Sequence, residues 1–293
     1  MMDEIIKAGK ISHDALEYAC SLVRVGAKMR DVAEKTEEFI IEKGGKPAFP
    51  VNIAVNNVAA HFTPAANDDI VFTENDMVKV DVGAHVNGFI GDNARTIDLT
   101  NENGKLVEAS EKALDNAVAC VKPGINSVEA SKAIQKTIES FGFRPVRNLS
   151  GHVMTQYELH SGESLQNVAT NGFTLEEDML IAIEPFASTG NGYVREDART
   201  EIFSFETVSP TRSKTAREVA SFAEREYSSL PFAERWLAKR FNDPFALKIA
   251  LRELVKNASF KAYPILKDDK NSLVSQAEVT VLVTKDGCEI TTK

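Results

Sequence analysis

Asp81 and Asp92 stand eleven residues apart in the stretch MVKVDVGAHVNGFIGDNARTIDL. Val78, Val80 and Val82 alternate with Lys79, Asp81 and Gly83, the period-two pattern of a strand. A second apolar-rich run follows from Phe89 to Leu99, and Asn87-Gly88 between the two is a hairpin turn signal, so the runs should pair antiparallel. With the turn centred near Val86-Asn87, Asp81 faces Asp92 directly, their Cβ atoms roughly 4.5–5.5 Å apart. Two ionised carboxylates that close repel each other, and a metal ion between them would relieve the repulsion. A solvated hairpin with both acids in water is the other reading. Further donors on converging strands decide between them.

Acids recur inside apolar runs. Glu184 ends the run Met179-Leu-Ile-Ala-Ile, and Glu278 lies within Gln276-Ala-Glu-Val-Thr-Val-Leu-Val. The bland role for Glu278 is an edge position facing water. Buried carboxylates are rare unless paired or metal-bound, and one cation explains Asp81, Glu184 and Glu278 together. Histidine, a frequent metal donor, occurs at positions 13, 61, 85, 152 and 160. His13 falls in an amphipathic N-terminal helix and His85 at the hairpin tip. In Ser150-Gly151-His152 the glycine would let the backbone pack closely around a ligand.

An internal echo supplies the elements that would position these donors. RVGAKMRDVAEKTEEFIIEKGGKP, from Arg24, resembles KPGINSVEASKAIQKTIESFGFRP, from Lys122, at an offset of 98, and each copy reads as turn, helix and glycine stop. FTENDMVKVDVG, from Phe72, likewise resembles FTLEEDMLIAIEP, from Phe173. Asp81 then falls within one residue of Glu184, and His61 within one residue of His160. Two related halves, each with helices followed by strands, would bring their strand ends together around a centre lined with acid.

With 293 residues, 43% hydrophobic and 26% charged, the composition is that of an ordinary globular protein with ample core. The opening MMDEIIKAGKIS is acidic where a signal peptide is basic, and no apolar run approaches a membrane span. A cytoplasmic protein is expected. Cys20, Cys120 and Cys288 form no CxxC and suit idle thiols. A net charge of −9 and a pI near 5.2 oppose general nucleic-acid binding, DNA included.

Asp81, Asp92, His152, Glu184 and Glu278, in that order, resemble the dinuclear metal site of the methionine aminopeptidase, prolidase and creatinase superfamily. PAFPVNIAVNNVAAHFTP, GHVMTQYELHSG and IEPFASTGNG are similar to the type II methionine aminopeptidases, as is a helical insertion before the final glutamate strand. The resemblance spans Ile5 to Thr292. It implies an α+β, pseudo-twofold duplicated "pita-bread" fold. Asp81 would chelate one metal, Asp92 and Glu278 would bridge both, and His152 and Glu184 would complete the second. This donor set suits two divalent ions, manganese, iron(II), cobalt or zinc, without choosing among them. Glu184 would take a proton from the attacking water, His61 and His160 would contact the substrate amide, and Phe49, Leu159 and Tyr263 would form a methionine pocket.

The implied activity is removal of the initiator methionine from nascent chains when the second residue is small. An X-Pro dipeptidase-like enzyme and a non-catalytic relative that binds protein or RNA are the alternatives. Residues 208–271 read as a winged-helix-like helical insertion between the two parts, 1–207 and 272–293, of a catalytic domain. Within it Ser213 to Ser229 reads as a helix, Pro231 opens a second, and Asp243-Pro244 caps a third. The insertion holds 13 Lys and Arg against 8 Asp and Glu. Its basic helices either meet ribosomal RNA or form a solvated surface.

Overall fold

The computed structural model describes residues 1–293. The hairpin forms from Met77–Val86 and Phe89–Asp98. Asn87 and Gly88 both take positive φ, +50° and +86°, as the two central residues of a type I′ turn require. Both must therefore lie within the turn, whose centre falls one residue later than the sequence suggested. The register pairs Asp81 with Ala94 and Gly83 with Asp92. Asp81 and Asp92 thus share a face as diagonal neighbours, a separation of about 7–8 Å between Cα atoms, and do not face each other directly.

Asn52–Val55 pairs with the other edge of Met77–Val86. Helices α1 (Met2–Leu22) and α2 (Met29–Glu42) cover this first sheet. Their buried faces, Ile11, Ala15 and Ala19 on one and Val32, Ala33 and Ile40 on the other, meet Val78, Val80 and Val82 in one apolar core. The helical spacing of three and four seals one side of the sheet. The other side carries Asp81 and Asp92.

The second half repeats the arrangement. Helices α3 (Gly104–Val118) and α4 (Val128–Ser140) pack through Leu106, Ala113, Ile134 and Ile138 against Ile181 and Val281. The sheet beneath runs Gly287–Ile290, Val279–Thr284, Leu180–Ile183, Ser150–Met154, Ser164–Gln166 in spatial order. The echo seen in the sequence is structural. Gly26 and Gly124 both take φ +82°, donate to Phe72 and Leu175 at 2.8 Å, and precede the equivalent bridges Lys28–Val71 and Asn126–Thr174.

Two strands break where their acids sit. The run around Glu278 divides into Val274–Gln276 and Val279–Thr284. Leu180–Ile183 likewise gives way at Glu184-Pro185 to Phe186–Ser188, since Pro185 has no N–H for a ladder. Glu278 sits at its break, bridged to Ala94 by N–H···O bonds of 3.0 and 3.3 Å. Asp92 N donates to Thr280 Oγ1 at 2.8 Å. The two halves are stitched together beside their carboxylates.

Helix α7 (Pro244–Lys256) starts on the expected cap, Asp243 accepting from Phe245 N and Ala246 N, and α5 (Lys214–Tyr227) starts one residue later than read, with Ser213 as its cap accepting from Ala216 N. The segment after Pro231 differs. Phe232–Ala233 is a strand paired with Ile202 and Phe203, and only then does the short α6 (Glu234–Ala238) begin. Aromatic packing favours the sheet here, with Phe232 buried against Phe203 and Phe260. Phe260–Lys267 is also a strand, pairing with Arg195–Phe205 on one side and Val58–Ala60 on the other.

Candidate active site

Strand alternation and strand ends bring the site together. The ten residues singled out in the sequence all line one cavity of about 70 Å3 between the halves. Asp81 and Asp92 enter from the hairpin, His152 from Ser150–Met154, and Glu184 and Glu278 from the two strand breaks. Donor atoms of Asp92, His152 and Glu278 lie within 4.8 Å of one another. His152 Nε2 is 3.6 Å from both Asp92 Oδ2 and Glu184 Oε1. Asp81 stands at the edge of this group.

Neither Lys nor Arg lines the cavity, so the four acids have no protein cation among them. Burial pushes the Asp81 carboxyl up to about 7. Burial first, then the neighbouring acids, raises Asp92, Glu184 and Glu278 well above the carboxylate range. Asp81 Oδ1, Asp92 Oδ1 and His152 Nδ1 are buried without a hydrogen-bond partner of good geometry. Burial lowers the His152 ring to about 4, the Leu159 backbone acting the other way, so imidazole is neutral and offers a lone pair. Buried, unpartnered oxygens around a neutral imidazole fit divalent cations.

His61 and His160 stand where this cavity adjoins a larger one. His61 Nδ1 lies 3.2 Å from Pro264 O; a carbonyl only accepts, so Nδ1 carries the proton and Nε2 is an acceptor. Burial lowers His61 to about 4. His160 falls to about 2 through burial, then His152, His61 and Lys261. Its ring sits 4.5 Å from His152 and 6.3 Å from Tyr263, centroid to centroid. His61, His160 and Tyr263 also border a larger cavity of about 660 Å3, into which a bound chain can continue.

Phe49 and Leu159 are buried together in a cluster with Met154 and Leu230. Gly83, opposite Asp92, makes room for Phe49: a Cβ there would lie 2.1 Å from Phe49 Cε1. Gly151 plays a different part from the one expected. Its bare backbone admits the Ala182 carbonyl, 2.1 Å from where a Cβ would be, so it serves strand packing and not a ligand. Four lining residues escaped the sequence reading: Asn52, Ala60, Ile202 and Pro231. None of the four carried a signal in the sequence, and Asn52 gains its meaning from the strand register that sets it opposite Asp81.

These shifts predict how the metal-free protein responds to pH. Unfolded carboxylates ionise near pH 4 and unfolded histidines near 6.5. Between those values the folded state holds extra protons on the raised acids, while the unfolded state holds extra protons on histidine, and the two effects oppose. Above about pH 6.5 the histidine contribution fades as the unfolded imidazoles lose their protons. The acids alone then destabilise the fold as pH rises, offset in part by Lys79, which burial lowers to about 7. The melting temperature of chelator-treated protein should fall from pH 6.5 to 8, and divalent metal should suppress most of that fall. A constant or rising value without metal would contradict the assignment of the acids as buried and unpaired.

The family model for metallopeptidase family M24 matches residues 3–209. The chain belongs to this family. A methionine aminopeptidase of Methanocaldococcus jannaschii is 45% identical over 293 residues, covering 99% of this chain and 98% of the relative. Among solved structures, the methionine aminopeptidase of Thermotoga maritima superposes with a TM-score of 0.73 at 27% identity, covering 100% of this chain and 98% of that one. A thermophilic Arx1 superposes with a TM-score of 0.88 over 99% of this chain and 90% of its own, at 17% identity, and shares the fold. The chain is a metallopeptidase of the duplicated pita-bread fold, an α+β enzyme that uses divalent metal ions. No helix is long and apolar enough to cross a membrane.

Proposed function

We propose that this enzyme removes the N-terminal methionine from nascent polypeptides in the cytoplasm when the second residue is small. The convergence of Asp81, Asp92, His152, Glu184 and Glu278 on one cavity with Phe49, Leu159 and Tyr263 supports this reading most. Asp81 would hold one metal, Asp92 and Glu278 would be shared between two, and His152 and Glu184 would complete the second. Bound divalent metal supplies a water of lowered pKa and polarises the scissile carbonyl.

The chain's own groups do the rest. The Glu184 carboxylate takes the proton of the attacking water. His61, protonated at Nδ1 by its bond to Pro264 O, presents Nε2 to an amide N–H of the substrate. Neutral His160 lines the same cavity and donates one N–H to the developing negative charge. Phe49, Leu159, Ile202 and Pro231 line the cavity with apolar surface suited to an unbranched thioether side chain. The narrow cavity excludes bulky second residues.

Cleavage of Met-Ala-Ser and Ala-Pro, before and after chelation and across a panel of divalent metals, tests class, substrate and cofactor together. Met-Ala-Ser should be preferred, chelation should reduce the rate by at least about a hundredfold, and one or more of manganese, iron(II), cobalt and zinc should restore it. Faster cleavage of Ala-Pro would make the enzyme prolidase-like. A protein that binds no transition metal and cleaves neither peptide would be a binding relative of the fold.

Residues 208–271 form, in this reading, an insertion that faces the ribosome. Lys248, Arg252 and Lys256 recur every four residues along α7 and border one groove with Arg199, alongside Glu201 and Glu234. Contacts with RNA phosphates weaken as salt rises, so co-sedimentation with ribosomes should be seen at low salt and lost at high salt. Absence of co-sedimentation at low salt would remove the ribosome from the proposal.

A further inference from the structure

Asn52 borders the cavity on the first half and has no part in the chemistry assigned so far. It is buried, 7% exposed, and stands directly opposite Asp81 in the register of Asn52–Val55 with Met77–Val86. Facing residues of an antiparallel pair put their Cβ atoms roughly 4.5–5.5 Å apart on one face. Asn52 Nδ2 donates to Pro50 O at 3.2 Å. That bond sets the orientation of the carboxamide, because a flip would turn its oxygen onto the Pro50 carbonyl.

Asn52 Oδ1 is left buried with no hydrogen-bond partner, and so is Asp81 Oδ1. Asp81 Oδ1 is among the oxygens that fit the metal, which leaves Asn52 Oδ1 as an acceptor that calls for a donor carried by a ligand. Asn52 is neutral, so it accepts without adding a fifth negative charge to the four raised acids. The other half of the repeat has Ser150 at the equivalent offset of 98, which makes this amide a property of one side of the cavity only.

We infer that Asn52 Oδ1 binds the free α-amino group of the substrate, beside Asp81. The inference rests on the aminopeptidase reading above, and supplies a means of telling a chain's end from an internal peptide bond. A terminal amine has two or three N–H donors on a tetrahedral nitrogen, whereas an internal amide has one. Asn52 is thereby a substrate-binding residue that selects for the N-terminus.

Calorimetric binding of L-methionine and of its des-amino analogue, 4-(methylthio)butanoate, to the metal-loaded enzyme separates the two claims. Wild-type protein should bind methionine more tightly than the analogue; equal binding would overturn the aminopeptidase reading itself. Asn52→Leu should weaken methionine roughly tenfold, the size of a lost hydrogen bond to a charged group, and leave the analogue, metal content and melting temperature unchanged. If Asn52→Leu weakens both ligands equally or neither, the inference is wrong.

Discussion

Asp92→Asn should lower kcat/KM for a Met-Ala substrate by at least about a thousandfold, a loss of roughly 4 kcal/mol of transition-state stabilisation. Asp92 is 2% exposed, and its donor atom lies within 4.8 Å of those of His152 and Glu278, so in the proposed site removing its charge would affect both metals. Metal content measured after dialysis should drop with the activity. The structure adds a second, opposite effect. Burial and Asp81 raise the Asp92 carboxyl, so above neutral pH the folded metal-free state must ionise a group that the unfolded state ionises easily. Asparagine removes that cost, and metal-free Asp92→Asn should melt higher than metal-free wild type at pH 8. A merely structural aspartate would give lower stability with little change in metal content. If the variant keeps two tightly bound metals and full activity, Asp92 does not bridge.

The combination also shows why an acid-rich centre can exist at all. Each half of the repeat seals one face of its sheet with helices and leaves the other face for the second half. The carboxylates lie where the halves meet, near the Ala94–Glu278 bridge and the Asp92–Thr280 bond. Those contacts hold the oxygens close whether or not they repel. The scaffold thus bears the electrostatic cost in advance, and metal binding recovers it.

Local patterns made much of this legible. Period-two alternation located Asp81, glycines at the same offset marked the duplicated helices, and the cap Asp243 set the start of α7. Errors arose where geometry depends on a single residue or on distant partners. Moving the turn centre by one residue took Asp81 from directly opposite Asp92 to the diagonal position. Phe232–Ala233 became a strand because Ile202 and Phe203 pair with it, a contact with no local sign. Ile202 and Pro231 reach the cavity through the same long-range pairing. Asn52 has neither charge nor an unusual neighbour in VNIAV, and gains meaning only from the strand opposite.

Arg235→Met should destabilise the protein by about 3–5 kcal/mol, the usual cost of removing one partner of a buried ion pair. Arg235 and Glu37 are 2% and 5% exposed, and their side chains are paired. They join α6 to α2, far apart in sequence. Glu37 also accepts from Trp236 Nε1 at 2.8 Å and from Val51 N at 3.1 Å, while Arg235 Nη1 donates to Thr63 Oγ1 at 2.7 Å. Val51 adjoins Asn52, and Thr63 lies two residues from His61, so the pair braces the segment that carries part of the cavity wall. Burial already raises the Glu37 carboxyl, against the pull of Arg235. Without Arg235 it rises further, and a group whose folded pKa is raised loses stability as pH climbs through that pKa. The cost of Arg235→Met, read from urea midpoints, should therefore be smaller at pH 5 than at pH 8. Glu37→Leu combined with Arg235→Met should cost less than the sum of the single variants, because no unpaired charge remains. Additive losses with no pH dependence would mean that packing, and not the ion pair, holds α6 against α2.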